Sequence, residues 1–262
     1  MSGVVLEPSR FGEDRLAQPS DLTPDALRGL SDFFEPLLPH FARETLRSGG
    51  EVRVRPGGDG SVRALYLVHP VEREASVFTR DPSIAEEFRQ HRPGVALYSD
   101  FRLVADGFAL RVYSGPLEEV DPGHRFSHPV RLAAPSEAAE IAALLRNVDG
   151  PVDERWIATA TPGVEDCLAV DGPGELAGLG WVTRVEAQGR LHSLAVRPRY
   201  RRAGIGTDLV FARIEWLRRS GARSVVTEIA EENAGSRAIA EAGGLRAIGR
   251  IYRTTPAPPA RG

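Results

Sequence analysis

The segment Leu194–Val210, LAVRPRYRRAGIGTDLV, carries the residue types that hold a phosphate. An apolar run reads as a strand. It leads into a turn with Arg197, Arg199, Arg201 and Arg202, then into Gly204-Ile205-Gly206 where a helical pattern begins. Glycine lets an anion approach the backbone closely, and the first amides of a helix offer unpaired donors at the positive end of its dipole. Arg201 and Arg202 add charge where a pyrophosphate would lie. A dinucleotide loop fits poorly, because Leu209 stands where its third glycine belongs and Asp208 beside it would repel phosphate. A P-loop is excluded: all 33 basic residues are arginine, which also rules out covalent catalysis by lysine.

Other reactive side chains are less suggestive. His192 and Ser193 are neighbours on a strand, so they should point to opposite faces and fail as a base and nucleophile pair. His192 alone, on the same face as Leu194 and Val196, is a candidate second base. Cys167 sits in an apolar run without a nearby histidine and reads as a buried small hydrophobe. His124 and His128 are four apart, but Pro122, Gly123 and Pro129 oppose the helix that a metal site would need, so no metal is expected. Glu231 and Glu232 read as a solvated turn able to attract a cationic amine.

The elements that must position these residues fall into two halves, 1–126 and 127–262, parted by SGPLEEVDPGHRFSHP (114–129) with its three prolines. Helical spacing runs from Pro24 towards Arg47, split by Pro36 and Pro39. Next come a hairpin over Val52–Val68, a strand at Ala75–Phe78, a helix at Ser83–Arg89, and strands at Val95–Tyr98 and Phe108–Tyr113. The second half repeats this order: a strand at Val130–Leu132, a helix from Ser136, a hairpin over Cys167–Val185 and a strand at Leu191–Val196. A helix after Gly206, a strand at Val225–Ala230, a helix at Ala234–Ala242 and a last strand at Leu245–Tyr252 complete it. After Tyr252, Pro256, Pro258 and Pro259 forbid a further paired strand. The second half therefore needs a closing strand from elsewhere, and Phe108–Tyr113 is available.

Composition sets the class. The chain has 262 residues, 42% hydrophobic and 26% charged, as globular proteins do. A net charge of −3 argues against nucleic-acid binding as the main task. No apolar run is long enough to span a membrane and the start lacks a signal-peptide core, so a cytoplasmic protein is expected.

The pattern Arg201-x-x-Gly204-x-Gly206, behind Val196-x-Pro198-x-Tyr200, resembles the acyl-CoA signature of the GNAT superfamily of N-acyltransferases. Glu228-Ile229-x-x-x-Asn233-x-x-Ser236, followed by Gly244-Leu245, resembles that family's next motif, particularly as found in ribosomal-protein alanine acetyltransferases. The resemblance implies an α/β fold with a mixed central sheet flanked by helices; the first half echoes the same order of elements, but Phe78–Ile84 has no glycine for a cofactor loop, so a degenerate tandem copy is expected there. It implies acetyl-CoA as co-substrate, transfer of a short acyl group to a primary amine by direct attack, and no metal. Backbone groups of Leu194, Ala195 and Val196 would pair with the pantetheine arm, and Arg201, Arg202, Ala203, Gly204, Ile205, Gly206 and Thr207 would line the pyrophosphate. Asn233 and Ser236 would lie near the pantetheine end. Glu228 would be the general base, with its pKa raised by burial beside Val226 and Ala230. The family's acid, a tyrosine seven residues after the asparagine, is replaced by Ala240, and Tyr252 is the candidate substitute. Two rivals stand beside the enzyme: a non-catalytic acyl-CoA-binding regulator, and an interaction module built on the first half.

Overall fold

The protein is described here by a computed structural model over residues 15–17, 27, 30, 36–47, 49–58, 61–69, 74–92, 95–104, 107–120, 123–146, 157, 160 and 162–254. Valine alternating with arginine in Glu51–Pro56 (β2) turns one face of that strand inward, and Val62–His69 (β3) pairs with it antiparallel, Val54 opposite Leu65. Arg15–Leu16 (β1) forms the outer edge. Leu38–Arg47 (α1) carries Pro39 in its first turn, where proline is tolerated; the expected stretch 31–35 lies outside the described residues. Glu74–Thr79 (β4), Pro82–His91 (α2), Ala96–Ser99 (β5) and Phe108–Pro116 (β6) complete the first half. The second half comprises Arg131–Leu132 (β7), Ala138–Leu145 (α3), Glu165–Gly172 (β8), Glu175–Val185 (β9) and Gln188–Val196 (β10). It continues through Ile205–Arg219 (α4), Ser224–Ala230 (β11), Ala234–Ala242 (α5) and Arg246–Arg253 (β12).

All twelve strands form one sheet in the order β1-β2-β3-β4-β5-β12-β6-β11-β10-β9-β8-β7. Each half contains one parallel pair, β4 with β5 and β10 with β11. Each pair is then extended by the other half's strand. β6 lies antiparallel between β11 and β12, with Tyr113 opposite both Thr227 and Ala247, while β12 lies between β5 and β6. The closing strand that the second half lacks is therefore Phe108–Pro116. It runs three residues past Tyr113, into the proline-rich segment, and that segment is packed: Leu117 and Val120 are buried with α4 and α5.

Helices cover both faces. Leu209, Val210, Ile214 and Leu217 of α4 bury against Leu168, Val182, Leu191 and Val225. α3 covers the opposite side of β8 and β9 through Ile141, Leu144 and Leu145 against Cys167, Leu179 and Trp181. α1 and the residue before it cross the junction, placing Leu37, Leu38 and Phe41 on Val112, Val226 and Ile251 from three strands of both halves. In the first half, α2 occupies the place that α4 takes in the second. Its N-terminal amides are capped by the Asp81 carboxylate, which accepts from the Ser83 amide at 2.9 Å. A carboxylate there fills the donors an incoming phosphate would use. This is the physical content of the expected degenerate loop.

Candidate active site

β10 and β11 pair in register only from Gln188/Ser224 to Leu191/Thr227. Beyond that point they part: β10 continues to Val196 bonded to β9 alone, and β11 continues to Ala230 bonded to β6 alone. The result is a wedge-shaped gap with unpaired backbone edges on both sides. A bulge between His192 and Ala195, with Ser193 at φ +50°, bends β10 away. The His192 carbonyl freed by the bulge accepts from Arg213 Nη1 at 3.1 Å, and the same nitrogen reaches the Trp181 carbonyl at 3.0 Å. Arg213 is fully buried, and burial pulls its pKa down to about 10. The absence of a side chain at Gly180 makes room for it, since a Cβ there would lie 2.9 Å from the guanidinium carbon.

The gap opens onto the N-terminus of α4. Gly204 stands at the N-cap with φ +90°, a left-handed conformation that favours glycine, and no side chain caps the first amides. Residues 201–204 are exposed. Arg201 is tied by Nε to the Val196 carbonyl at 3.0 Å, which fixes the loop against the end of β10. Asp208, feared as a repulsive charge, is turned inward and almost completely buried. Its carboxylate accepts from His124 Nε2 and His128 Nδ1, both at 2.8 Å, and from the backbone of Ser127 and His128. Burial would raise its pKa, but these bonds outweigh that and lower it. Ile205 to Thr207 line the first turn, and Gly206 faces Ile239 and Val196 across the gap. Asn233 caps α5, its Oδ1 accepting from the Ser236 amide at 3.1 Å.

Four expectations need correction. The bulge breaks strand alternation, so Leu194 and Val196 pack toward α4 while His192 faces the other way, its Nε2 bonded to Thr183 Oγ1 at 2.8 Å. It also brings Ser193 Oγ to 3.4 Å from His192 Nδ1, closer than an unbroken strand allows. Burial and then the charges of Arg190 and Arg213 push the His192 pKa well down, because a second cation is unwelcome there. Tyr252 pairs with Ser99 and Ala109, two strands from β11 or about 10 Å across the sheet, and is not brought to the gap. Glu231 is not a free carboxylate: Arg111 and Arg250 bond it at 3.2 and 2.5 Å. Cys167 is buried as expected, and burial raises its thiol to about 12.

The fourth correction concerns the apolar surroundings foreseen for Glu228. The residue follows the last paired position, Thr227, where the two strands begin to part, and its carboxylate is bonded by Arg190 through Nε at 3.0 Å and through Nη2. Arg190 reaches Glu44 of α1 at 3.0 Å and lies over the Phe41 ring, 4.5 Å from its centre. Burial would lower the Arg190 pKa, but the two carboxylates outweigh it and raise it. A second pair, Arg47 with Glu165, clamps α1 to β8. Between these pairs is a cavity of about 10 Å³ bounded by His40, Thr183 and His192, room for about one water molecule. Burial holds His40 neutral, its pKa pushed down to about 3. Removing one partner of a buried ion pair costs about 3–5 kcal/mol. Arg190→Met should therefore lower the thermal midpoint by roughly 6–20 °C for a protein of this size. Adding Glu228→Gln should restore part of the loss in a calorimetric double-mutant cycle; additive losses would mean the two side chains are not coupled.

Residues 140–244 match the model of the Acetyltransferase (GNAT) family. The match, the gap and the glycine loop coincide in the second half, which is similar to GNAT acetyltransferase domains. Among solved structures, the chain is similar to a GCN5-related N-acetyltransferase from Sphaerobacter thermophilus at 17% identity and TM-score 0.64, covering 94% of this chain and 96% of that one. It is also similar to a GCN5-related N-acetyltransferase from Kribbella flavida, at 11% identity and TM-score 0.62, covering 85% and 96%. A tandem GNAT protein from the clavulanic acid biosynthesis pathway aligns at 19% identity and TM-score 0.54, covering 80% and 83%. None of the curated proteins matches the sequence. Among the described residues no helix is long and apolar enough to cross a membrane, and no cluster of His, Cys, Asp and Glu is arranged for a metal.

Proposed function

We propose that this chain acetylates a primary amine in the cytoplasm, with acetyl-CoA held across the gap between β10 and β11. The observation that carries this reading is the conjunction of unpaired strand edges with an uncapped helix N-terminus at one end of the same gap. Backbone groups of Leu194, Ala195 and Val196 would bond the pantetheine arm as a neighbouring strand does. The amides of Gly204, Ile205, Gly206 and Thr207, flanked by Ala203 and by Arg201 and Arg202, would hold the pyrophosphate. Asn233 has its oxygen engaged as a cap, leaving its amide nitrogen for the ligand, with Ser236 one turn further on. The co-substrate, when bound, supplies an activated acyl carbonyl.

The remaining work belongs to the protein. An amine is protonated near neutrality and must lose a proton before it can attack. In this reading Glu228 accepts it: Arg190 fixes the carboxylate's orientation, and a carboxylate retains lone pairs beyond those that one guanidinium occupies. Positioning of the amine beneath α1 supplies the rest. The loss of a phenol at Ala240, with Tyr252 elsewhere in the sheet, favours one other reading, an acyl-CoA-binding regulator without turnover. Release of CoA in the presence of amines separates the two.

Gly206→Glu tests the cofactor site. A Cβ at Gly206 would meet Ile239 and Val196 at only 3.8 and 4.0 Å, so the variant should fold. Its carboxylate would oppose the pyrophosphate by several kcal/mol, and CoA affinity should fall roughly 10²–10³-fold in calorimetric titration. Unchanged affinity in a folded variant would refute the site.

A further inference from the structure

Residues 123–128 do more than connect the halves. His124 stacks on Phe211 of α4, ring centres 4.2 Å apart, and both His124 and His128 bond the buried Asp208 in the first turn of that helix. Asp208 accepts from each ring, so His128 carries its proton on Nδ1 and leaves Nε2 on the other side of a partly exposed side chain. The ring stands beside the loop: His128 Cε1 is the atom nearest to where a Gly204 side chain would begin, at 4.0 Å. The titratable groups gathered on His128 are Asp208 and, through the same carboxylate, His124. Of the arginines ahead of α4, Arg201 is committed to the Val196 carbonyl.

We propose that His128, oriented by Asp208, is a flank of the pyrophosphate cradle and takes up one proton from solvent when that anion binds. The inference rests on the acyl-CoA reading above. A carboxylate one turn inside a phosphate-binding helix end is a liability, and two histidines cover it. With its Nδ1 hydrogen given to Asp208, neutral His128 has only a lone pair on Nε2. Protonation there turns an acceptor into a charged donor facing the phosphate oxygen, while the Nδ1 bond to Asp208 is kept.

The experiment is calorimetric titration of the full-length protein with 3′-dephospho-CoA, which lacks the ligand phosphate that titrates near neutrality. Titrations at pH 6, 7 and 8, each in two buffers of different ionisation enthalpy, count the protons taken up. The parent protein should take up roughly half a proton at about pH 7 and bind roughly fivefold to tenfold more tightly at pH 6 than at pH 8. His128→Asn places an amide nitrogen where Nδ1 stands, keeping the bond to Asp208 and removing the outer nitrogen. It should melt with the parent and bind with neither proton uptake nor pH dependence. A purely structural histidine would leave uptake unchanged in the folded variant, and that result overturns the proposal. So does zero uptake by the parent, a measurement that needs no variant to fold. If the parent binds the ligand without uptake, only this inference fails; if it binds neither dephospho-CoA nor CoA, the acyl-CoA reading fails with it.

Discussion

Residues 127–262 expressed alone are expected to aggregate or to show no cooperative melting transition. The physical reason is β6, which supplies the neighbour for β11 from Ser224 to Ala230 and for β12 from Arg246 to Arg253. Without it both strands expose a row of unpaired amides and carbonyls, and β12 loses both of its neighbours, β5 being absent as well. α1 would be missing too, uncovering Val226 and Ile251 and leaving Arg190 and Glu165 with fewer partners. Co-expression of residues 1–126 should rescue folding by supplying both. A monomeric fragment with a sharp calorimetric transition would show that the exchanged strand is dispensable.

For Glu228→Gln, the acceptor-dependent rate should fall by roughly 10²–10⁴ near neutral pH, the usual effect of losing a positioned general base. CoA affinity should hold, because Glu228 is on β11 and not in the glycine loop. The pH profile makes the result specific. As pH rises more amine arrives deprotonated, so the variant should regain part of the lost rate by about pH 10. A glutamine that merely weakened the Arg190 contact would lower stability without changing the slope of that profile. Rates of both proteins from about pH 6 to 10 provide the check, and superimposable profiles would move the proton to a water chain with no dedicated side chain.

Local chemistry made part of this site legible in the sequence. Gly204 and Gly206 behind Arg201 and Arg202 marked a helix start, because glycines and the amides they free act within a few residues. The proline-rich tail signalled a missing strand, and the β-propensity of Phe108–Tyr113 named its replacement. What stayed hidden depends on register between distant segments. Glu228 meets Arg190 across 38 residues and Arg190 meets Glu44 across 146, so a glutamate expected among apolar neighbours sits in an ion pair. A lone arginine within the strand Gln188–Val196 was the available sign. The bulge at His192–Ala195 was equally unreadable, since it inverts strand alternation and finds its support in Arg213, one helix away. His124 and His128 were rightly refused a helix, yet their common partner, Asp208, comes from 80 residues further along.

The mutual insertion of β6 and β12 has a consequence for how the chain is made. On the ribosome, β6 emerges with neither of its eventual neighbours, and β5 waits for a strand that is synthesised last of all. Arg253 follows Pro116 by 137 residues, about 7–27 s at roughly 5–20 residues per second. Throughout that interval the nascent first half has its α1 and α2 cores available but two open edges, the condition in which strands of neighbouring nascent chains pair wrongly. Vectorial folding, one half after the other, is closed to this topology. The chain commits to its native sheet only after Arg253 has been added, and chaperones that shield unpaired edges should matter more for it than for a single-copy relative of the same fold.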